Sequence, residues 1–384
     1  MLSVKSSKYR FEKALELEEP DIIPIFEIGI TPPIVSKIIG RTPFYRNPSI
    51  YLQEYAKGKH KEVNRKIAFD ELECHRKLGF DAIRVSCGAI YYNLSANVIP
   101  KKISENIWLI NNIRYRYLSN TNVLWQLDAR FKEPKDIIKY IHDHWNEIKE
   151  IPDGILEPLE FIVKEASDEM LVIADADGTF PFSEAEMANF LTWIYTHPNI
   201  IREFISFSTK KAIEFGKACI DTGANAIFMP CDYAHKGGPF ISPKRFKEFI
   251  LPALKEQVEA FHRKGAYVIK HTDGNINLLL DDLVSSGIDA LQCIDPSAGM
   301  KIHEVKEKYG DKICLMGNMN IETLVIKTTI EVNNEVKECI RNASPGGGHV
   351  FCTSNTVAVG AKIENFMTMI KTARKYGRYP IKQL

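Results

Sequence analysis

The chain has 384 residues, with Lys+Arg 50 against Asp+Glu 49 and a formal net charge of +1. Hydrophobic residues make up 45% and charged residues 26%, which excludes a disordered or fibrous chain and leaves a globular one with a sizeable core. The near-neutral balance excludes a dedicated nucleic-acid binder, which needs excess basic charge to displace counterions from phosphates. No run approaches the roughly 18 apolar residues of a membrane-spanning helix. No apolar core follows the first basic residues, so no signal peptide is expected. The eight cysteines are scattered without a CxxC pair, which fits free thiols and a cytoplasmic setting.

In chain order, Ser3–Leu17 reads as a helix packed outside the main body. Short apolar runs then alternate with longer amphipathic ones, the pattern of βα units and a parallel sheet. Eight strands are expected: Asp21–Phe26, Phe80–Ser86, Leu171–Ala174, Asn225–Met229, Ala266–Lys270, Ile288–Ile294, Lys312–Met316 and His349–Cys352. Helical segments Pro243–Lys264, Ile276–Gly287 and Gly299–Tyr309 separate the later ones, with Gly265, Gly287 and Gly310 as C-terminal caps. Between the second and third strands, Ile107–Trp125 reads as a β-hairpin turning at Ser119–Asn122, an insertion of about residues 104–128. Eight parallel strands with helical crossovers predict an α/β fold of the (β/α)8 TIM-barrel type, one domain over residues 1–384. A doubly wound open sheet is the alternative. No GxGxxG follows the first strand, which counts against a dinucleotide fold.

In such a barrel, function gathers at the C-terminal ends of the strands. The residues there include Glu27, Tyr91, Tyr92, Asp175, Asp177, Asp232, His235, His271, Asp273, Asn318 and Cys352. The i, i+2 spacing of His271 and Asp273 puts both on one face of an extended chain. With the Cys352 thiolate they are competent zinc ligands, and three ligands with an open position suit catalysis. The alternative is a hydrogen-bonded His271–Asp273 pair with Cys352 as a buried apolar residue. Asp232, directly at a strand end, is a catalytic candidate. His235 reads as a loop hydrogen-bonder. Asp175 and Asp177 could form an acid/base couple or cap the helix near Ser183. Phe180, Phe182, Tyr91, Tyr92 and Tyr233 could line an aromatic pocket or simply pack. Gly346–Gly348 precede a strand rather than follow one, so they read as a turn, not a phosphate loop.

Several stretches resemble the uroporphyrinogen decarboxylase superfamily, and particularly its corrinoid-dependent methyltransferase branch. They are Gly238-Pro-Phe-Ile-Ser-Pro243, Lys270-His-Thr-Asp-Gly-Asn275, Ile294-Asp-Pro-Ser-Ala-Gly-Met300, Val305-Lys-Glu-Lys-Tyr-Gly310, Gly317-Asn318 and Lys375-Tyr-Gly-Arg-Tyr-Pro380, with Leu17-Glu-Glu-Pro-Asp-Ile-Ile-Pro24 near the start. The resemblance implies a (β/α)8 barrel. The decarboxylases of that superfamily carry an Arg-rich segment after the first strand; here it reads Glu27-Ile-Gly-Ile-Thr-Pro-Pro33, with no arginine before Arg41. The methyltransferases bind zinc through a His-x-Cys pair and a later cysteine. His271 matches the first ligand and Cys352 the last, while Asp273 stands where the middle cysteine would be.

The resemblance implies a methyltransferase that moves a methyl group between a small methylated substrate and a corrinoid. His271, Cys352 and Asp273 would hold Zn²⁺, and Asp232 and Asp273 would act in catalysis. Glu27, Tyr91, Tyr92, Asp175, Phe180, Tyr233 and Asn318 would contact substrate. The Asp273 carboxylate makes a harder site than sulfur would, which favours an oxygen-linked methyl donor such as a methoxylated aromatic. No DxHxxG cobalamin signature occurs, so a partner protein would carry the corrinoid (cobalamin). A homodimer is compatible with this reading. Decarboxylation, or binding without catalysis, are the rival functions.

Overall fold

The structure is a computed structural model, and it describes residues 6–382. Seven strands form one sheet: β1 (Ala82–Val85), β2 (Leu171–Asp175), β3 (Ala226–Met229), β4 (Tyr267–His271), β5 (Ala290–Gln292), β6 (Cys314–Met319) and β7 (His349–Thr353). Their spatial order follows the chain, every neighbouring pair is parallel, and a helix lies in each crossover. That arrangement is the curled α/β sheet expected of a barrel. The strands are apolar on both faces, as a sheet covered on one side by helices and filled on the other requires.

Asp21–Phe26, expected as the first strand, is not a continuous strand. It makes only isolated bridges, because Pro24 removes a ladder donor. The segment nevertheless touches both edges of the sheet. On one side the Phe26 amide donates to Phe351 O (3.1 Å) and the Phe351 amide to Pro24 O (2.9 Å). On the other, the Asp81 amide donates to Ile25 O (2.9 Å), and the Ile25 amide to the Asp81 carboxylate (2.8 Å).

Side-chain alternation divides the core in two. Ala82, Ile173, Phe228, Ile269, Met316 and Cys352 belong to an inner apolar cluster, while Ile83, Val172, Ile227 and Val268 meet the helices. The N-terminal helix spans Ser7–Leu15, and residues 3–5 of the expected helix lie outside the described residues. It does not pack outside the sheet. Phe11, Ala14 and Leu15 join the inner cluster, with Phe11 edge-on to Phe26 at 5.9 Å.

The insertion is larger than one hairpin. Lys101–Lys102, Ile107–Ile110, Ile113–Leu118 and Val123–Gln126 form a four-stranded antiparallel sheet. The run expected as one long strand breaks at Asn111 and Asn112, whose φ values are 49° and 61°. Two successive left-handed residues make the tight turn that suits a two-residue hairpin, and asparagine tolerates it. Gly310 is the C-terminal cap residue of the Ile302–Tyr309 helix, as expected. Its φ is −68°, so it is no left-handed cap; a Cβ there would meet Lys306 O at 2.6 Å.

Candidate functional site

The inward positions at the C-terminal ends of the strands are polar, where the rest of the inner face is apolar. They include Arg84, Asp175, His271 and Gln292. His271 and Gln292 sit in register on β4 and β5. Gln292 is fully buried, and its amide nitrogen donates to Thr353 O (3.2 Å) and Ser354 O (3.4 Å). That orientation turns the Gln292 carbonyl oxygen onto His271 Nδ1, with which it forms a close contact. An acceptor at Nδ1 fixes the proton there, so Nε2 carries the free lone pair.

Nε2 points at two carboxylates. Asp232 Oδ1 and Asp273 Oδ1 each lie 3.6 Å from it. Ligand atoms of the three residues all fall within 4.8 Å of one another. The Asp273 amide donates to Asp232 Oδ1 (2.7 Å), and Cys293 Sγ lies 3.2 Å from Asp273 Oδ1. Asn355 donates to the other Asp273 oxygen. Burial raises the Asp273 carboxyl above its ordinary range, and the nearby Asp232 charge adds to this against the pull of His271. The His271 ring stacks on Phe228 at 5.7 Å, and the Arg84 guanidinium lies 4.0 Å over the same phenyl ring.

A lone pair and two carboxylates facing one another call for a cation. Tetrahedral zinc with bonds of about 2.0–2.2 Å holds its ligand atoms roughly 3.3–3.6 Å apart, which the two His271–aspartate distances of 3.6 Å match. His271 is buried, whereas the Asp232 and Asp273 side chains keep 42% and 33% exposure, which leaves an open face. A cavity of about 500 Å³ lies on that face, lined by Asp273, His235, Asn320 and Asn355.

Cys352 is not brought into this group. It is fully buried on the far side of Gln292, with its sulfur 3.7 Å from the Gln292 amide nitrogen. Burial is the main cause that pushes its thiol well up, and the Glu27 carboxyl lies beside it. Glu27 is itself enclosed. Its carboxylate accepts from the Thr353 amide (3.1 Å) and hydroxyl, and burial raises it to about 8.

Asp175 and Asp177 neither pair with each other nor cap the helix at Ser183. Asp175 is held by Arg84 at 2.7 and 2.6 Å. Asp177 is held by Lys270 at 2.9 Å, and the Ser183 amide donates to Glu186 instead. Of the aromatic candidates, Tyr91 borders a cavity of about 630 Å³ together with Asp175 and Asp177. Tyr92 turns away and donates to buried Glu71. Tyr233 bonds Thr179 at 2.6 Å, and Phe180 packs on Phe190. Those three rings are core, not pocket wall. Asn318 donates to Ile294 O at 3.0 Å. His235 accepts from the Gly237 amide at 3.0 Å, as a loop residue.

The uroporphyrinogen decarboxylase (URO-D) family profile matches residues 130–376. The chain belongs to the uroporphyrinogen decarboxylase family. Its relatives divide between two chemistries. A methylcobamide:CoM methyltransferase of Methanosarcina barkeri is 21% identical over 226 residues, covering 58% of this chain and 63% of that protein. A uroporphyrinogen decarboxylase of Neisseria gonorrhoeae is 23% identical over 262 residues, covering 62% and 71%. Among solved structures, a methyltransferase from Methanosarcina mazei superposes with a TM-score of 0.69 at 17% identity, covering 97% of this chain and 99% of that one. The chain thus spans a little under two thirds of the first of these relatives and shares the fold of the third. Among the described residues no helix is long and apolar enough to cross a membrane.

Within this uroporphyrinogen decarboxylase family fold, Gln292, Lys270, Arg84 and Arg46 are absent from the candidates named on sequence grounds. The first three carry a visible signal: each is polar within an otherwise apolar strand. Arg46 carries none, because it reaches the rim from a loop. The segment after Phe26 lacks arginine, yet the Arg46 guanidinium fills the space beside Gly29.

Proposed function

We propose that this chain is a metal-assisted methyltransferase, which moves a methyl group between a small methylated substrate and a corrinoid carried by a partner protein. The observation that carries the reading is the His271 Nε2 lone pair, held 3.6 Å from both Asp232 and Asp273 at the strand ends. The methylcobamide:CoM methyltransferase relative supports the methyltransferase branch, and the absence of arginine directly after Phe26 counts against decarboxylation.

His271, Asp232 and Asp273 would hold zinc, which supplies positive charge against the electrons left on a heteroatom that loses its methyl group. Gln292 keeps the imidazole in the ligating tautomer. The two carboxylates offset the metal charge, so the bound site is near neutral. Oxygen ligands make it hard, which suits an oxygen-linked methyl donor. The methoxylated aromatic donor rests on this oxygen-ligand argument; of the five aromatic candidates Tyr91 borders the cavity of about 630 Å³, which is distinct from the cavity beside Asp273. Cys352 enters this scheme through its contact with Gln292.

Mixing the protein with a reduced corrinoid protein and a panel of methoxyaromatics, methanol and methylamines tests the reading. Visible spectra should report conversion of Co(I) to methyl-Co(III) with at least one donor, and His271→Ala should abolish it. Unchanged Co(I) across the panel, with loss of CO₂ from a carboxylated tetrapyrrole, would establish decarboxylation instead.

A further inference from the structure

The Pro198–Thr222 helix turns one stripe of side chains toward the loops after β1 and β2. Phe204, Phe207, Ser208, Lys211, Ala212 and Phe215 recur at i, i+3, i+4, i+7, i+8 and i+11, the spacing of a single helical face, and all six line the cavity of about 630 Å³. Tyr91 adds a ring from the loop after β1. A Cβ on Gly178 would overlap Ser208 O, so the loop after β2 lies directly on the helix backbone. Asn111, in the turn of the inserted sheet, and Glu150 are exposed, and they mark where the cavity opens to water.

This space is separate from the metal group. It shares no lining residue with the cavity beside Asp273, and none of His271, Asp232 and Asp273 borders it. Its size falls within the range of about 300–1,000 Å³ usual for small-molecule sites, and a mostly aromatic wall with few polar groups is their ordinary composition.

The charges on the wall decide what the cavity can hold. Asp175 is committed to Arg84, Asp177 to Lys270, and Arg130 to Glu186. Glu150 is exposed, so water solvates it. Lys211 is left. It is half-buried within the aromatic stripe, and among the described residues its ammonium has neither an ion pair nor a hydrogen bond. A cation held against an apolar wall without a partner is costly, and a stripe that served packing alone has no use for it.

We propose that this cavity is a second small-molecule site, and that it takes an aromatic monoanion of the aryl carboxylate or sulfonate class. The rings of the ligand pack against Tyr91 and Phe215, and its charge meets Lys211. The site is independent of methyl transfer, since its occupant does not touch the metal group.

Fluorescence titration of the full-length protein with a matched pair of dyes tests this without metal or corrinoid. The probes are 8-anilinonaphthalene-1-sulfonate and N-phenyl-1-naphthylamine, which share a ring system and differ by the sulfonate. The wild type should bind the anionic dye saturably, one per chain, and about tenfold or more tightly than the neutral one, as a charged hydrogen bond implies. Lys211→Met keeps the apolar stem and loses the charge, so it should bring the two dyes within about twofold. Ala212→Trp fills the cavity and should abolish binding of both, with its urea midpoint showing that it folds. 2-Naphthoate should displace the anionic dye from the wild type, and 2-naphthamide should do so about tenfold less well. Chelation of metal should change none of these affinities. Equal affinity for the two dyes in the wild type, anionic-dye binding undiminished in Lys211→Met and Ala212→Trp, or loss of binding on chelation would each overturn the assignment. Failure here leaves the methyltransferase reading standing, because no step of that reading uses Lys211.

Discussion

Lys270 and His271 are consecutive residues of one strand, and their surroundings are opposites. Strand alternation sends Lys270 outward toward the helices and His271 inward. Lys270 is fully buried and donates to Asp177 (2.9 Å), Met229 O (3.1 Å) and Cys231 O (2.7 Å), which uses all three ammonium protons. Asp177 in turn accepts from the Thr179 and Cys231 amides. Burial raises the Asp177 carboxyl, but Lys270 and these hydrogen bonds overcome it, and the net direction is down. Asp273, opposite His271, moves up instead. A buried aspartate and a half-buried one on the same rim thus shift in opposite directions. The difference is that one has its cation in the protein and the other does not. A closed network holds the fold, and an open one waits for something from outside.

The largest break in this comparison should come from the closed side. Lys270→Met leaves Asp177 buried and unpaired, which costs about 3–5 kcal/mol. Urea unfolding of metal-free protein measures it, and a loss below about 1 kcal/mol would show that the pair is not structural. On the open side the effect should fall on metal, not on folding. Purified without chelators, the wild type should carry one zinc per chain and His271→Ala none, by elemental analysis. Cys352→Ala should retain the metal, because the sulfur lies beyond Gln292. Loss of zinc in Cys352→Ala would move the metal to the Nδ1 side of the ring.

Much of this rim is legible in the sequence, because period-two alternation and strand ends are written in the order of residues. His271, Asp232 and Asp273 stand out by their position after apolar runs. The rest depends on partners far apart in the chain. Asp177 reads as an acid until Lys270, on another strand, turns it into a counterion. Tyr91 and Tyr92 are neighbours in sequence, yet one borders a cavity and the other bonds buried Glu71. Cys352 is a ligand by family resemblance, and Gln292 stands between it and the His271–aspartate group. The insertion is recognisable as β structure, but the Asn111–Asn112 turn hides inside an apolar run that looks continuous.

Gln292 sharpens the comparison at a middle scale. It accepts from His271 Nδ1 and so sets the tautomer from behind the ligand. Gln292→Leu should keep the fold but weaken zinc binding by about 10–100-fold, the usual effect of removing a group that orients a metal-bound histidine. Competition with a chromogenic chelator reads the affinity. Nitrogen-15 shifts of the His271 ring read the tautomer, with Nδ1 protonated in the wild type and a mixture in the variant. An unchanged ring would mean that Gln292 fills space only.

The smallest effect is a slope. A carboxyl raised in the folded state binds its proton more tightly there than in the unfolded chain. For Asp273 in chelated protein, stability therefore falls as pH rises from the unfolded value near 3.8 through the higher folded value. Asp177 has the opposite sign, since a lowered carboxyl contributes stability above about 3.8 and loses it as pH falls toward the folded value. One group contributes at most about 1.4 kcal/mol per pH unit, and partial exposure of Asp273 reduces that. Asp273→Asn in chelated protein should remove the downward slope, so the difference in urea stability between variant and wild type grows as pH rises above about 4. Saturating zinc should reverse the trend, because the metal binds the ionised carboxylate and displaces its proton. A pH-independent difference in the chelated proteins would show that Asp273 is matched by a cation already in the chain, and the contrast with Asp177 would fall with it.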